Sequence, residues 1–211
     1  TGPLTGDQHT RALAQRAEGL LQRLGPQRHN IVRELFRNLV TAQGTRAARD
    51  VDELLSIFRA NHDEAAEVLQ ALVDARLLTS YELSGEGGVT EHRIEIVHES
   101  LLSNWPRLVR WRTRDADAAQ LRDQLRQAAR IWDQKGRADD LLWTGTAYRE
   151  FELWREQYSG GLTATEQEFA RAMERRSRAK QRRRRLAVGS VVLAAVLVAV
   201  VTSGLWRRSA M

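Results

Sequence analysis

His98, Glu99, Ser100 and Ser103 are the residues whose types and spacing come closest to chemistry in this 211-residue chain. A histidine beside two hydroxyls could act as a general base. A catalytic triad also needs a group that orients the imidazole and donors that receive an oxyanion, and the sequence points to neither. His98-Glu99 does not open an H-E-x-x-H zinc motif, because Leu102 stands where the second histidine belongs. The five histidines, His9, His29, His62, His92 and His98, show no metal-ligand spacing. The chain has no cysteine, which excludes disulfides, thiolate metal sites and thiol nucleophiles. The stretch from Gly85 to Gly88 is glycine-rich, but no Gly-Lys-Ser/Thr follows it, so it suits a turn better than a phosphate loop. No acidic pair follows an apolar strand in a Walker B pattern. His98 is left with its position, where a strand gives way to a helix. There a side chain either reaches a ligand or bonds a neighbouring backbone group.

The elements that would hold His98 can be read from periodicity. An initial helix from about Asp7 to Leu24 is broken by Gly25-Pro26, and Pro26 suits the start of the next. Val32, Leu35, Phe36, Leu39 and Val40 repeat at helical spacing, with Gly44 ending that helix. Asp50 with Glu53, and Asn61 with Glu64, read as helix caps ahead of two further apolar stripes. Leu77 to Leu83 and Arg93 to Val97 are β-prone and joined by the glycine-rich turn. Three helices followed by a hairpin is a winged-helix order. Beyond it, Leu101, Leu102, Trp105, Leu108, Val109 and Trp111 cluster around Pro106, which kinks or restarts the helix. Asp115 is expected to open the next helix and Gly136 to close it. A further helix from Ala147 to Tyr158 ends at Gly160-Gly161, and Thr163 with Glu166 forms a capping box.

The net charge of +6 has to be located before it is interpreted. Residues 1–170 carry 22 basic and 26 acidic side chains, whereas 171–211 carry 11 and one. The helix in the recognition position, Asn61 to Arg76, presents Asp63, Glu64, Glu67 and Asp74, which would repel a phosphate backbone. Nucleic acid is therefore not an expected partner. Leu186 to Trp206 contains no charge, and 21 helical residues reach about 31 Å, the thickness of a bilayer core. Arg171 to Arg185 carries nine basic residues and ends in Arg182, Arg183, Arg184 and Arg185, a surface suited to anionic lipid headgroups. By the positive-inside bias, the N-terminal region is expected in the cytoplasm. No Gly or Pro interrupts Ala164 to Val188, so the last cytosolic helix is expected to continue into the span. The chain starts at Thr1 and is expected to be a piece of a longer protein.

Ile96-Val97-His98-Glu99-Ser100-Leu101-Leu102-Ser103-Asn104-Trp105-Pro106-Arg107-Leu108 resembles the V-x-H-E-A-L-L-x-x-W-P-R-L signature of bacterial STAND NTPases of the novel STAND NTPase 1 type. Leu69 to Thr79, Leu142-Trp143 with Gly145, Leu153-Trp154 and Glu166 with Phe169 are similar to flanking parts of that family. The resemblance implies a signal-responsive switch. A P-loop domain would bind ATP or ADP, a winged helix and a helical region would follow, and sensor repeats such as WD40 propellers would lie beyond. It also implies a role for Val97-His98-Glu99, which is similar to the Met-His-Asp motif that contacts the β-phosphate of ADP in related switches. Val replaces Met and Glu replaces Asp.

The predicted fold is mainly α. A winged-helix domain with a small β-hairpin is followed by a helical region and one long C-terminal helix that includes a transmembrane span. Residues 1–113 form the winged-helix-like domain with its N-terminal helix and 114–170 the Trp-rich helical region. Residues 171–185 form a basic juxtamembrane helix and 186–206 the transmembrane helix. The expected product is a single-pass membrane protein. Its expected function is that of a non-catalytic regulatory and membrane-anchoring module of a STAND-type signalling NTPase, coupling nucleotide state to a membrane-linked sensor or effector. His98 and Glu99 would sense nucleotide. No cofactor is expected in this chain, ATP or ADP being held by the P-loop domain of the parent protein. The alternative is a membrane-tethered winged-helix DNA-binding transcription regulator.

Overall fold

A computed structural model describes residues 6–84 and 90–209, with side chains described for 11–84, 90–183, 185–187 and 190. The glycine-rich turn at Gly85 to Gly88 lies outside the described residues.

The first helix, α1 (Gly6–Leu24), buries Leu13, Ala17, Leu20 and Leu21 at helical spacing. Gly25 adopts a φ of 80°, which ends α1 and lets Pro26 begin a single 3-10 turn. The next helix, α2 (His29–Asn38), buries Ile31, Val32, Leu35 and Phe36. It stops before Gly44, which instead closes a tight turn in which Gly44 N–H donates to the Thr41 carbonyl at 2.9 Å. A two-residue strand, β1 (Arg49–Asp50), leads straight into α3 (Val51–Leu55). The Asp50 carboxylate caps α3 by accepting from Glu53 N–H at 2.9 Å. Then α4 (His62–Asp74) buries Ala65, Val68, Leu69 and Leu72. It ends in a Schellman turn: Leu77 N–H donates to the Leu72 carbonyl and Arg76 N–H to that of Val73.

The strands β2 (Leu78–Ser84) and β3 (Thr90–Ile96) pair antiparallel, with Leu78 opposite Ile96 and Ser80 opposite Ile94. β1 joins the other edge of β3, placing Arg49 opposite Ile94, so the sheet order is β1-β3-β2. Helix–strand–helix–helix–strand–strand is a winged-helix connectivity. Ile94 and Ile96 are nearly inaccessible and seal the sheet onto the helical core.

A short helix, α5 (Ser100–Asn104), precedes α6 (Pro106–Gln134). Pro106 restarts the helix rather than kinking it, since its missing N–H is unneeded in the first turn. α6 runs through Asp115 without a break. Asp115 does not cap a new helix because its carboxylate is held by Arg33 and Arg37 of α2, each at 2.9 Å. The two ends of α6 serve two cores. Leu108 belongs to the first, built from α1 to α5 and the sheet. Leu125, Ala129 and Trp132 belong to a second, shared with Tyr148 and Phe151 of α7 (Thr146–Gln157) and Phe169, Ala172 and Met173 of α8 (Ala164–Ser209).

Thr163 and Glu166 form the reciprocal cap at the start of α8, with bonds of 2.8 and 3.3 Å. The backbone of α8 is one helix of 46 residues. The expected transmembrane span at 186–206, and with it the single-pass membrane placement, is nevertheless overturned. Among the described residues, no helix is long and apolar enough to cross a membrane. The described part of α8 between Met173 and Leu186 is largely exposed and carries Arg175, Arg176, Arg178, Lys180, Arg182, Arg183 and Arg185, whose charges keep that part of the helix out of hydrocarbon. The side chains of 191–209 lie outside the described residues.

Candidate functional site

The segment from Ile96 to Leu108 separates into two sets of residues. Leu101, Leu102, Trp105 and Leu108 are each 1–2% exposed and belong to the first core. Trp105 lies edge-on between Phe36 and Trp111, with ring centroids 5.2 and 5.6 Å away. Its indole N–H donates to Glu18 at 3.1 Å, and Arg107 bonds the same carboxylate. The conspicuous part of the segment, from Leu101 to Leu108, is thus a packing device that fastens α5 and α6 to α1. Val97, His98 and Glu99 instead face outward.

His98 sits between β3 and α5. Val97 N–H pairs with the Leu77 carbonyl, which ends the sheet, and Leu101 N–H bonds the His98 carbonyl, which begins the helix. The imidazole takes part in this transition. Ser100 N–H donates to His98 Nδ1 at 3.1 Å. A backbone N–H can only donate, so Nδ1 is unprotonated in this geometry and the ring proton resides on Nε2. The His98 ring therefore bonds neighbouring backbone through one nitrogen and carries its donor on the other.

Arg46 is the residue that sequence reading missed. It lies after the Thr41–Thr45 turn and pairs with Val40 in an isolated bridge. Its Nη1 donates to the carbonyls of Ile96 at 2.9 Å and Val97 at 3.4 Å. Its Nε donates to Glu99 at 3.2 Å, and Glu95 lies 3.8 Å away. One guanidinium thus straps both sides of His98. No sequence pattern marks it, because Arg46 is 53 positions from Glu99.

The other candidates lie apart. Arg182, Arg183 and Arg185 are exposed on α8, and the Arg184 side chain lies outside the described residues. None of them joins His98 at the β3–α5 turn. Among the described residues, no cluster of three His, Asp or Glu could hold a metal. The helix in the recognition position, α4, keeps its acidic face. Glu64 and Glu67 bind Arg28 at 3.1 and 2.9 Å, so that cation is already engaged.

Comparison with curated proteins and with solved structures gave no match. The family model described as Novel STAND NTPase 1 matches residues 6–140, more than half of the chain and the whole of its winged-helix part. On that match, the chain belongs to the novel STAND NTPase 1 family.

Proposed function

We propose that this chain is a non-catalytic regulatory module of a STAND-type signalling NTPase, and that His98 reads the phosphate state of the nucleotide. ATP or ADP would be held by the P-loop domain of the parent protein, packed against the β3–α5 turn. The observation supporting this reading is the division of the Ile96–Leu108 segment. Leu101, Leu102, Trp105 and Leu108 are consumed by the core, whereas Val97, His98 and Glu99 stand exposed together at its start. An imidazole N–H donating to a phosphate oxygen is a charge-assisted bond, present with one nucleotide arrangement and lost with another. Glu99 would act indirectly, through the Arg46 strap that fixes the turn. The switch would be passed on through α5 to α6, which runs from the first core into the second, towards sensor repeats of the WD40 kind.

The test is His98→Leu, which keeps bulk but has no donor, in the full-length protein, read by the release rate of bound ADP. Loss of one hydrogen bond to a charged group should speed release by about tenfold or more. Unchanged release would overturn the sensing role of His98.

A further inference from the structure

A second site lies away from His98, in the angle between α2 and α6. A cavity of about 500 Å³ is bounded by α2, the Thr41–Thr45 turn, α5 and the first half of α6. Its volume falls in the range of roughly 300–1,000 Å³ usual for small-molecule sites. Val109 and Trp111 supply an accessible apolar wall, backed by the buried Phe36, Val40 and Leu108. Four arginines, Arg33, Arg37, Arg112 and Arg122, share the lining with a single carboxylate, Asp115.

The charges do not balance within the cavity. Arg33 and Arg37 both bind Asp115, and Arg37 also binds Glu34. Arg122 is engaged by the carbonyls of Arg37 and Val40 and by Asp123. Arg112 donates to the Leu102 carbonyl at 2.8 Å and, among the described residues, forms no ion pair. The surplus positive charge is therefore carried by Arg112. A further donor, Arg33 Nε, is buried with no acceptor among the described residues. A cationic ligand would be repelled here, and a neutral one would leave these donors unsatisfied in a half-apolar space. An anion bonded to Arg112 would satisfy the charge while its apolar body covered Val109 and Trp111.

We infer that this cavity binds a small amphiphilic acid, a molecule with an apolar body and one anionic head. The occupant would touch both α2 and α6, and so would act on the joint between the winged-helix core and the rest of α6. This makes the chain a receptor for a small ligand as well as a carrier of nucleotide state. The inference stands independently of His98.

The test uses the full chain and the fluorescent acid 8-anilinonaphthalene-1-sulfonate, displaced by octanoate or by octanamide. The two competitors share an apolar body and differ in the charge of the head. Octanoate should displace a single saturable component at least about tenfold more effectively than octanamide, as expected for one bond to a charged group. Arg112→Gln should remove that preference. Ala116→Trp, which fills the cavity from an exposed position on α6, should abolish the saturable component while leaving the circular dichroism spectrum unchanged. Equal displacement by octanoate and octanamide, or undiminished binding in Ala116→Trp, would overturn the inference.

Discussion

Arg126 of α6 and Glu166 of α8 are joined at 2.9 Å with side chains only 9% and 2% exposed. Arg126 also reaches Asn38 at the end of α2, so one guanidinium links three helices and both cores. Breaking such a pair leaves a charge stranded where water cannot reach it. Arg126→Met should destabilise the chain by about 3–5 kcal/mol in urea denaturation. The double variant Arg126→Met with Glu166→Gln should recover more than half of that loss. The amide oxygen can still accept from Thr163 N–H, and neither charge of the pair remains. A double variant as unstable as the single one would show that the pair acts through packing instead.

Glu18 supplies an acid-dependent counterpart. The bond from Arg107 holds its carboxyl below the usual glutamate value, with burial opposing and the Trp105 indole assisting. A carboxyl that is easier to ionise in the folded state stabilises that state at neutral pH. The contribution is present above the unfolded-state value and is lost as pH falls through the depressed folded value. Because Glu18 is 37% exposed, its contribution is limited to less than about 1 kcal/mol. Glu18→Gln should therefore melt slightly below the wild type at pH 7. The two melting temperatures should converge on acidification below the ordinary glutamate range. A constant difference across that range would rule out the titration of Glu18 as its cause.

Ser100 tests how far the β3–α5 turn is packing and how far it is polar design. Its backbone N–H is engaged by His98, yet its Oγ is buried with no hydrogen-bond partner among the described residues. Removing an unsatisfied hydroxyl relieves a desolvation cost. Ser100→Ala should be neutral or stabilising by up to about 1 kcal/mol, read from the urea midpoint. It should leave ADP release by the full-length protein unchanged. A loss above about 1 kcal/mol would mean that the hydroxyl makes a bond in solution.

Local signals were legible in the sequence where one residue determines a local geometry. Asp50 and Thr163–Glu166 cap their helices because side chain and target lie three positions apart. Asn61 looked equivalent, but it makes no side-chain cap and only a 3.4 Å contact to Glu64, which Arg28 holds. Asp115 misled for the same reason: two arginines 82 and 78 positions away decide its role. The strand β1 was missed because two residues carry no periodicity. The span at 186–206 was read from its length and lack of charge, with the arginine-rich stretch before it taken as a flank, and among the described residues no helix is long and apolar enough to cross a membrane. At the candidate site, His98 and Glu99 were visible as a motif. Arg46 and the arginine-lined cavity were not, since both arise from contacts across the fold.

Gly44 and Arg112 provide the sharpest test of that long-range design. Gly44 adopts a φ of 80°, and a Cβ built there would overlap the Arg112 guanidinium and lie 3.3 Å from its Cζ. Two separate costs follow from Gly44→Ala. A left-handed conformation costs a side-chain-bearing residue about 1–2 kcal/mol. Displacing Arg112 breaks its bond to the Leu102 carbonyl, a further loss of about 1 kcal/mol. Truncating the guanidinium in Arg112→Ala removes the second cost but not the first. In a double-mutant cycle, Gly44→Ala should therefore cost about 2–3 kcal/mol in the wild type and about 1–2 kcal/mol in Arg112→Ala. Gly44→Ala should also weaken the preference for octanoate, because it moves the cation assigned to the anionic head. Strict additivity in the cycle would show that Arg112 does not rest against the Gly44 turn in solution.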